Sequence, residues 1–143
     1  MTTEPKFIPK EAAQIALSDG VDVKVRLIDC VGFMVEGAAG HIENDTERLV
    51  KTPWFDAEIP FTEAAEIGTR KVINDHSTIG LVITTDGSFG DIKRGNYIAA
   101  EEKTIKELKN LKKPFLVLLN SMRPYSDETR ELAKQMEEKY GVQ

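Results

Sequence analysis

Two short runs that are apolar almost throughout, residues 79–83 (Ile-Gly-Leu-Val-Ile) and 115–119 (Phe-Leu-Val-Leu-Leu), narrow the possible folds more than any other feature. Runs of that length without polar alternation read as strands covered on both faces. Between them, Ile98, Ile105, Leu108 and Leu111 share one stripe, while Glu101, Glu102, Lys103, Lys106, Glu107 and Lys109 face water. That spacing predicts an amphipathic helix from about residue 97 to 112. Strand, helix and strand in this order imply a parallel pair joined by a right-handed crossover.

The remainder fits the same plan. Ile15 and Leu17, the turn pair Asp19-Gly20, and then Val21, Val23, Val25 and Leu27 at every second position predict a β-hairpin over 13–28. From 33 to 60 no periodicity survives, and a loop of that length is expected to be functional or an insertion. Thr62 reads as a helix N-cap with Glu63 and Glu66 in the first turn, and the helix is expected to end near Asp75-His76. A last helix is expected from Ser126, burying Leu132, Ala133, Met136 and Tyr140 and stopping at Gly141. The expected class is α/β, one domain with a mostly parallel sheet and a β-hairpin. The strand ends 29–32, 84–87 and 120–121 are all polar or glycine-bearing, and in open α/β sheets ligands bind at that rim.

Asp29-Cys30-Val31-Gly32 directly follows the alternating strand. A carboxylate there can reach Mg²⁺, usually through water, and the glycine lets a backbone N–H approach a phosphate oxygen. The same four residues also fit an ordinary strand-to-loop transition. Thr2-Thr3 is the kind of hydroxyl pair that senses a terminal phosphate, and equally an ordinary chain start. Asn120-Ser121-Met122-Arg123 stands where guanine-reading switches carry Asn-Lys-x-Asp, without the Asp, so guanine specificity is not expected. No G-x-x-x-x-G-K-[ST] loop occurs in the 143 residues. His41 and His76 have no second ligand at metal spacing, and Cys30 reads as a small buried hydrophobe rather than a nucleophile. Trp54 fits a partner anchor as well as a staple of the loop to the core.

A net charge of −5 argues against nucleic-acid binding. A single cysteine makes no internal disulfide, so a reducing cytosolic setting is the default. Residues 1–6 hold no apolar stretch of the secretory kind, and no run approaches the ~20 apolar residues that span a bilayer.

Leu27-Ile28-Asp29-Cys30-Val31-Gly32, Thr52-Pro53-Trp54-Phe55, the stretch 59–73, residues 76–80 and 84–87, and Asn120-Ser121-Met122-Arg123-Pro124-Tyr125 resemble the stage IV sporulation protein A family, and the likeness runs essentially from Met1 to Gln143. The resemblance implies a bacterial spore-coat morphogenetic ATPase related to translation-factor-type GTPases, with a three-layer P-loop NTPase fold. Such a protein uses ATP hydrolysis to polymerise into the basement layer of the coat. Position by position, Asp29 resembles the Walker B acid, and Thr2 and Thr3 resemble the sensor threonines. Asp29 and Thr3 would hold Mg²⁺, and Gly32 would meet the terminal phosphate of ATP. Asn120 and Ser121 would lie on the base side, and 33–60 would act as the switch.

The implied partners are further copies of the protein, a small amphipathic forespore-membrane peptide and other coat proteins, with neither nucleic acid nor a transmembrane segment. The implied location is the mother-cell cytoplasm, peripheral on the outer forespore membrane. Family members carry a P-loop strand and helix before the threonine pair. Without that strand, two inner sheet edges lose their ladder partner. The chain is thus expected to be a partial ATPase domain that by itself hydrolyses ATP negligibly. The alternative is a non-catalytic assembly module of the spore coat. A receiver-like phosphate sensor is disfavoured, because paired acids after the first strand are not seen.

Overall fold

The computed structural model describes residues 5–142, so Thr2 and Thr3 lie outside the described residues. An antiparallel hairpin comes first. β1 (Lys6–Ala16) pairs with β2 (Asp22–Asp29), with Ala16 opposite Asp22, Lys6 opposite Asp29 and a bulge between Ile8 and Ala13. The expected turn forms: Asp19 and Gly20 both have positive φ, 66° and 75°, and the Leu17 amide donates to the Val21 carbonyl at 2.7 Å. β2 ends at Asp29. Gly32 then takes a φ of 82°, a left-handed conformation that glycine adopts without a Cβ clash.

Residues 42–60 are more regular than their aperiodic sequence implied. β3 (Ile42–Glu43) and β4 (Thr46–Glu47) turn through Asn44 and Asp45 at φ 50° and 59°, residue types whose short polar side chains tolerate that region. β5 (Leu49–Thr52) pairs with β6 (Phe55–Pro60). The expectation of one loop over 33–60 is corrected: ladders this short hold too few residues to display a period of two. Trp54 is half-buried, with the Lys71 ammonium 5.7 Å from its ring, so it staples the β5–β6 turn to the next helix.

That helix, α1 (Phe61–Lys71), buries Phe61, Ala64, Ala65, Gly68 and Thr69 and continues as a wider π-helical turn, Val72–His76. Thr62 is not its cap. The helix starts after Pro60, and the Thr62 hydroxyl donates to Glu47 Oε1 at 2.5 Å instead. β7 (Gly80–Thr85) and β8 (Phe115–Asn120) form the expected parallel pair, in register from Gly80 opposite Phe115 to Thr85 opposite Asn120, with α2 (Arg94–Asn110) as the crossover. α3 (Asp127–Tyr140) is capped by Ser126, whose Oγ accepts the Thr129 amide at 3.2 Å, and it ends at left-handed Gly141. Ile73, Val82, Ile105, Leu108, Met136 and Tyr140 form the core, with Phe115, Val117, Leu119 and Leu132 packed against them.

Three expectations change here. β7 and β8 are covered on one face only: Leu81, Ile83, Leu116 and Leu118 on the other are 45% to 70% exposed. The mixed α/β class stands, but the described strands form four two-stranded sheets, of which only β7–β8 is parallel. The physical reason is that no described strand pairs with both β2 and β7, so the hairpin and the parallel pair stay separate ladders. Glu101, expected on the wet face of α2, is buried. It is matched there by Arg94, whose guanidinium makes two 2.8 Å hydrogen bonds to it.

Candidate functional site

The ends of β7 and β8 are tied together at the rim. The Asp86 amide donates to the Asn120 carbonyl at 3.2 Å, one residue past the last paired position. Asp86 Oδ1 accepts from the Ser88 amide at 2.8 Å and the Ser88 hydroxyl at 2.5 Å, while Oδ2 accepts from the Ser121 hydroxyl at 2.5 Å. Partial desolvation works to raise the Asp86 carboxyl, but the hydrogen bonds from Ser121 and Ser88 hold it below the ordinary carboxylate range. Gly87 leaves β7 at φ 82°, and a Cβ there would lie 2.5 Å from the Arg94 amide nitrogen. Only a glycine lets the chain turn so closely onto the start of α2. Asn120 is exposed, and its carboxamide makes no hydrogen bond among the described residues.

Below this rim, Glu101 takes two bonds from Arg94 and one from the Tyr140 hydroxyl at 2.5 Å, while Arg94 also donates to Thr84 Oγ1 at 3.3 Å. Burial pushes the Glu101 carboxyl up, yet Arg94 and its other donors hold it below the ordinary range. The Tyr140 hydroxyl is pushed up, first by burial and then by the carboxylate it donates to. Sequence reasoning missed this network. Its signal was a basic and an acidic residue seven apart, two turns along the same helix face.

The segment that follows Asp29–Gly32 is tied to α1 and α2. Phe33 is buried, with the Lys103 ammonium and the Arg70 guanidinium 4.6 and 5.9 Å from its ring centroid. The Asn96 carboxamide donates to the Glu36 carbonyl at 3.1 Å, which fixes the following loop to the first turn of α2. Asp29 is exposed, and its carboxylate makes no hydrogen bond or ion pair among the described residues. Nor does any join it to Asn120, Ser121 or Asp86, so the site is built as two halves. Burial pushes the Cys30 thiol up, the opposite of an activated nucleophile.

Asp29 fits a Mg²⁺ role. That ion is commonly held by one or two carboxylates with water and substrate phosphates rather than by a protein cage. A free hard-oxygen donor beside left-handed Gly32 suits such a site. Among the described residues no group of three or more His, Cys, Asp or Glu is arranged to cage a metal. A groove of about 500 Å³ between β8 and α3, lined in part by Val117, Leu119, Met136 and Tyr140, contains none of Asp29, Gly32, Asp86, Asn120 and Ser121. Among the described residues no helix is long and apolar enough to cross a membrane.

A parallel β-α-β unit with polar strand ends on one rim, together with an acid-and-glycine loop after the hairpin, has the features of a nucleotide-handling α/β domain. The description of the ATPase domain of stage IV sporulation protein A matches residues 1–143. The chain is 56% identical over 142 residues to stage IV sporulation protein A of Bacillus subtilis (strain 168), and 56% identical to that of Clostridioides difficile (strain 630). The Bacillus anthracis protein of the same name is 51% identical over 142 residues. Each match covers 99% of this chain and 29% of the relative, so the chain spans less than a third of their length. No solved structure matches. The chain belongs to the stage IV sporulation protein A family, within its ATPase domain.

Proposed function

We propose that this chain supplies part of an ATP-hydrolysing site in a sporulation protein, in a three-layer P-loop-like fold. Asp29 and Gly32 serve the terminal phosphate; Asn120 and Ser121 serve the base. The observation that carries the reading is the pair of unsatisfied polar groups at strand ends: the Asp29 carboxylate and the Asn120 carboxamide, each exposed and unbonded among the described residues. The open apolar face of β7–β8 supports the third layer. Mg²⁺, when bound, would offset the charge of the phosphates. Asp29 would hold the metal through water, and Gly32, free of a Cβ, would present its amide to the terminal phosphate. Thr2 and Thr3 are assigned the sensor role by family resemblance, with Thr3 a second metal ligand.

The same resemblance extends the proposal to a scaffold that polymerises as the basement layer of the coat. Its proposed location is the mother-cell side of the outer forespore membrane, with a small amphipathic membrane peptide and other coat proteins as partners. The test is ATP turnover by the full-length protein. Asp29→Asn is expected to abolish turnover while nucleotide binding persists, and full turnover in that variant overturns the reading. A second reading, a non-catalytic assembly module, is favoured by the exposed Leu81, Ile83, Leu116 and Leu118 face. Assembly of the full-length protein that ignores ATP would support it.

A further inference from the structure

We propose that Asp86 is the positioning residue for the base side of the site, holding the loop 120–123 so that the Asn120 carboxamide is offered to the adenine ring of a nucleoside triphosphate. The inference rests on the nucleotide reading above and adds a residue to it.

The Ser121 hydroxyl has one proton, and it goes to Asp86 Oδ2. Ser121 Oγ then accepts the Arg123 amide at 2.9 Å, and its remaining lone pair faces Thr129 Oγ1 at 3.2 Å. The Thr129 hydroxyl therefore donates to Ser121, with Ser126 Oγ 3.2 Å from Thr129 Oγ1. On the other side the Ser88 hydroxyl gives its proton to Asp86 Oδ1 and accepts the Met122 amide at 2.9 Å. Two consecutive backbone amides of the loop, Met122 and Arg123, thus hang from serines that both donate to one carboxylate. The proton order runs from Thr129 to Asp86, and it uses both carboxylate oxygens of Asp86 as acceptors.

Guanine offers N–H donors on its pairing edge and needs a carboxylate there, whereas a carboxamide can pair with both the amino group and N7 of adenine. The carboxylate tied to this loop is occupied by three protein donors, and position 123 carries an arginine. The exposed group left for a base is the Asn120 carboxamide.

The test uses the full-length protein and three variants. Asp86→Asn keeps the shape but turns an N–H₂ toward one of the serines. It is expected to raise the KM for ATP about tenfold, equivalent to about 1.4 kcal/mol. Saturated kcat and the melting temperature are expected to stay near wild type, with a smaller preference for ATP over GTP. Ser121→Ala is expected to do the same, and the double variant to cost no more than either single one, because both break one chain of bonds. An unchanged KM in Asp86→Asn, additive losses, or a kcat that falls together with the melting temperature would each overturn the proposal. Asp29→Asn is the control. If it leaves turnover intact, the nucleotide reading fails; if it abolishes turnover while Asp86→Asn binds ATP normally, only the positioning role fails.

Discussion

The Lys103 ammonium stands 4.6 Å from the centroid of the Phe33 ring, one residue beyond Gly32 in the candidate phosphate loop. Lys103 and Arg70 are both held by Glu66, at 2.5 and 3.7 Å, and Arg70 also reaches Glu107 at 3.2 Å. Phe33 therefore sits under cations that α1 and α2 fix jointly, and the position of Gly32 is tied to the packing of those helices. Phe33→Ala removes a buried ring and is expected to cost about 3 kcal/mol. Amide exchange over residues 30–37 of the full-length protein is the measurement. It should speed up selectively, and unaltered protection there would show that the ring does not anchor the loop.

Arg94 and Glu101 form a two-pronged ion pair whose side chains are 19% and 1% exposed. Removing one partner strands a buried charge, so Arg94→Met is expected to destabilise the domain by about 3 kcal/mol. The pH dependence has a definite sign. The folded Glu101 carboxyl titrates below its ordinary value, so the network's stabilisation is present above about pH 4.3 and is lost as pH falls through the folded value. Thermal melts of the full-length protein between pH 6 and about pH 3 should show that loss in wild type. Arg94→Met should flatten the profile, and a wild-type slope in the variant would remove the network from the acid response.

Gly87→Ala combines two penalties at the rim. The new Cβ would lie 2.5 Å from the Arg94 amide nitrogen, and the residue would keep a left-handed φ of 82°. Relief requires backbone movement between β7 and α2, because the clash is with main chain. A loss of about 2 kcal/mol is expected, together with weaker ATP binding because Asp86 and Ser88 move with the turn. Calorimetric titration of the full-length variant tests it: wild-type affinity would show that the turn and the base loop are independent.

The β7-α2-β8-α3 half was legible because its apolar runs and helical stripes are long, and Ser126 and Gly141 punctuate it as expected. The hairpins within 42–60 were not, although Asn44-Asp45 is a turn pair, because their strands are as short as two residues. Glu101 was misplaced for another reason. Amphipathic patterning assigns every acid to water and cannot see a partner seven positions away. Of the candidate site, Asp29, Gly32, Asn120 and Ser121 were singled out from motif position. Asp86, which the hydrogen bonds make central, was noted only as part of a strand-end turn, since its role depends on Ser121 across the sheet.

Leu81 lies opposite Leu116 and Ile83 opposite Leu118 in the parallel register, so the four exposed side chains are lateral neighbours on one surface. Parallel sheets are ordinarily covered on both faces, and an apolar surface of this kind drives association when nothing covers it. The 143-residue chain expressed alone is therefore expected to self-associate in a concentration-dependent way. Replacing Ile83 and Leu118 together by lysine places two like charges side by side on that surface and should shift sedimentation toward the monomer. Helical content by circular dichroism should not change, because both side chains point away from the helices. A wild-type chain that sediments as a monomer at every concentration would show that this face does not drive assembly of the isolated chain.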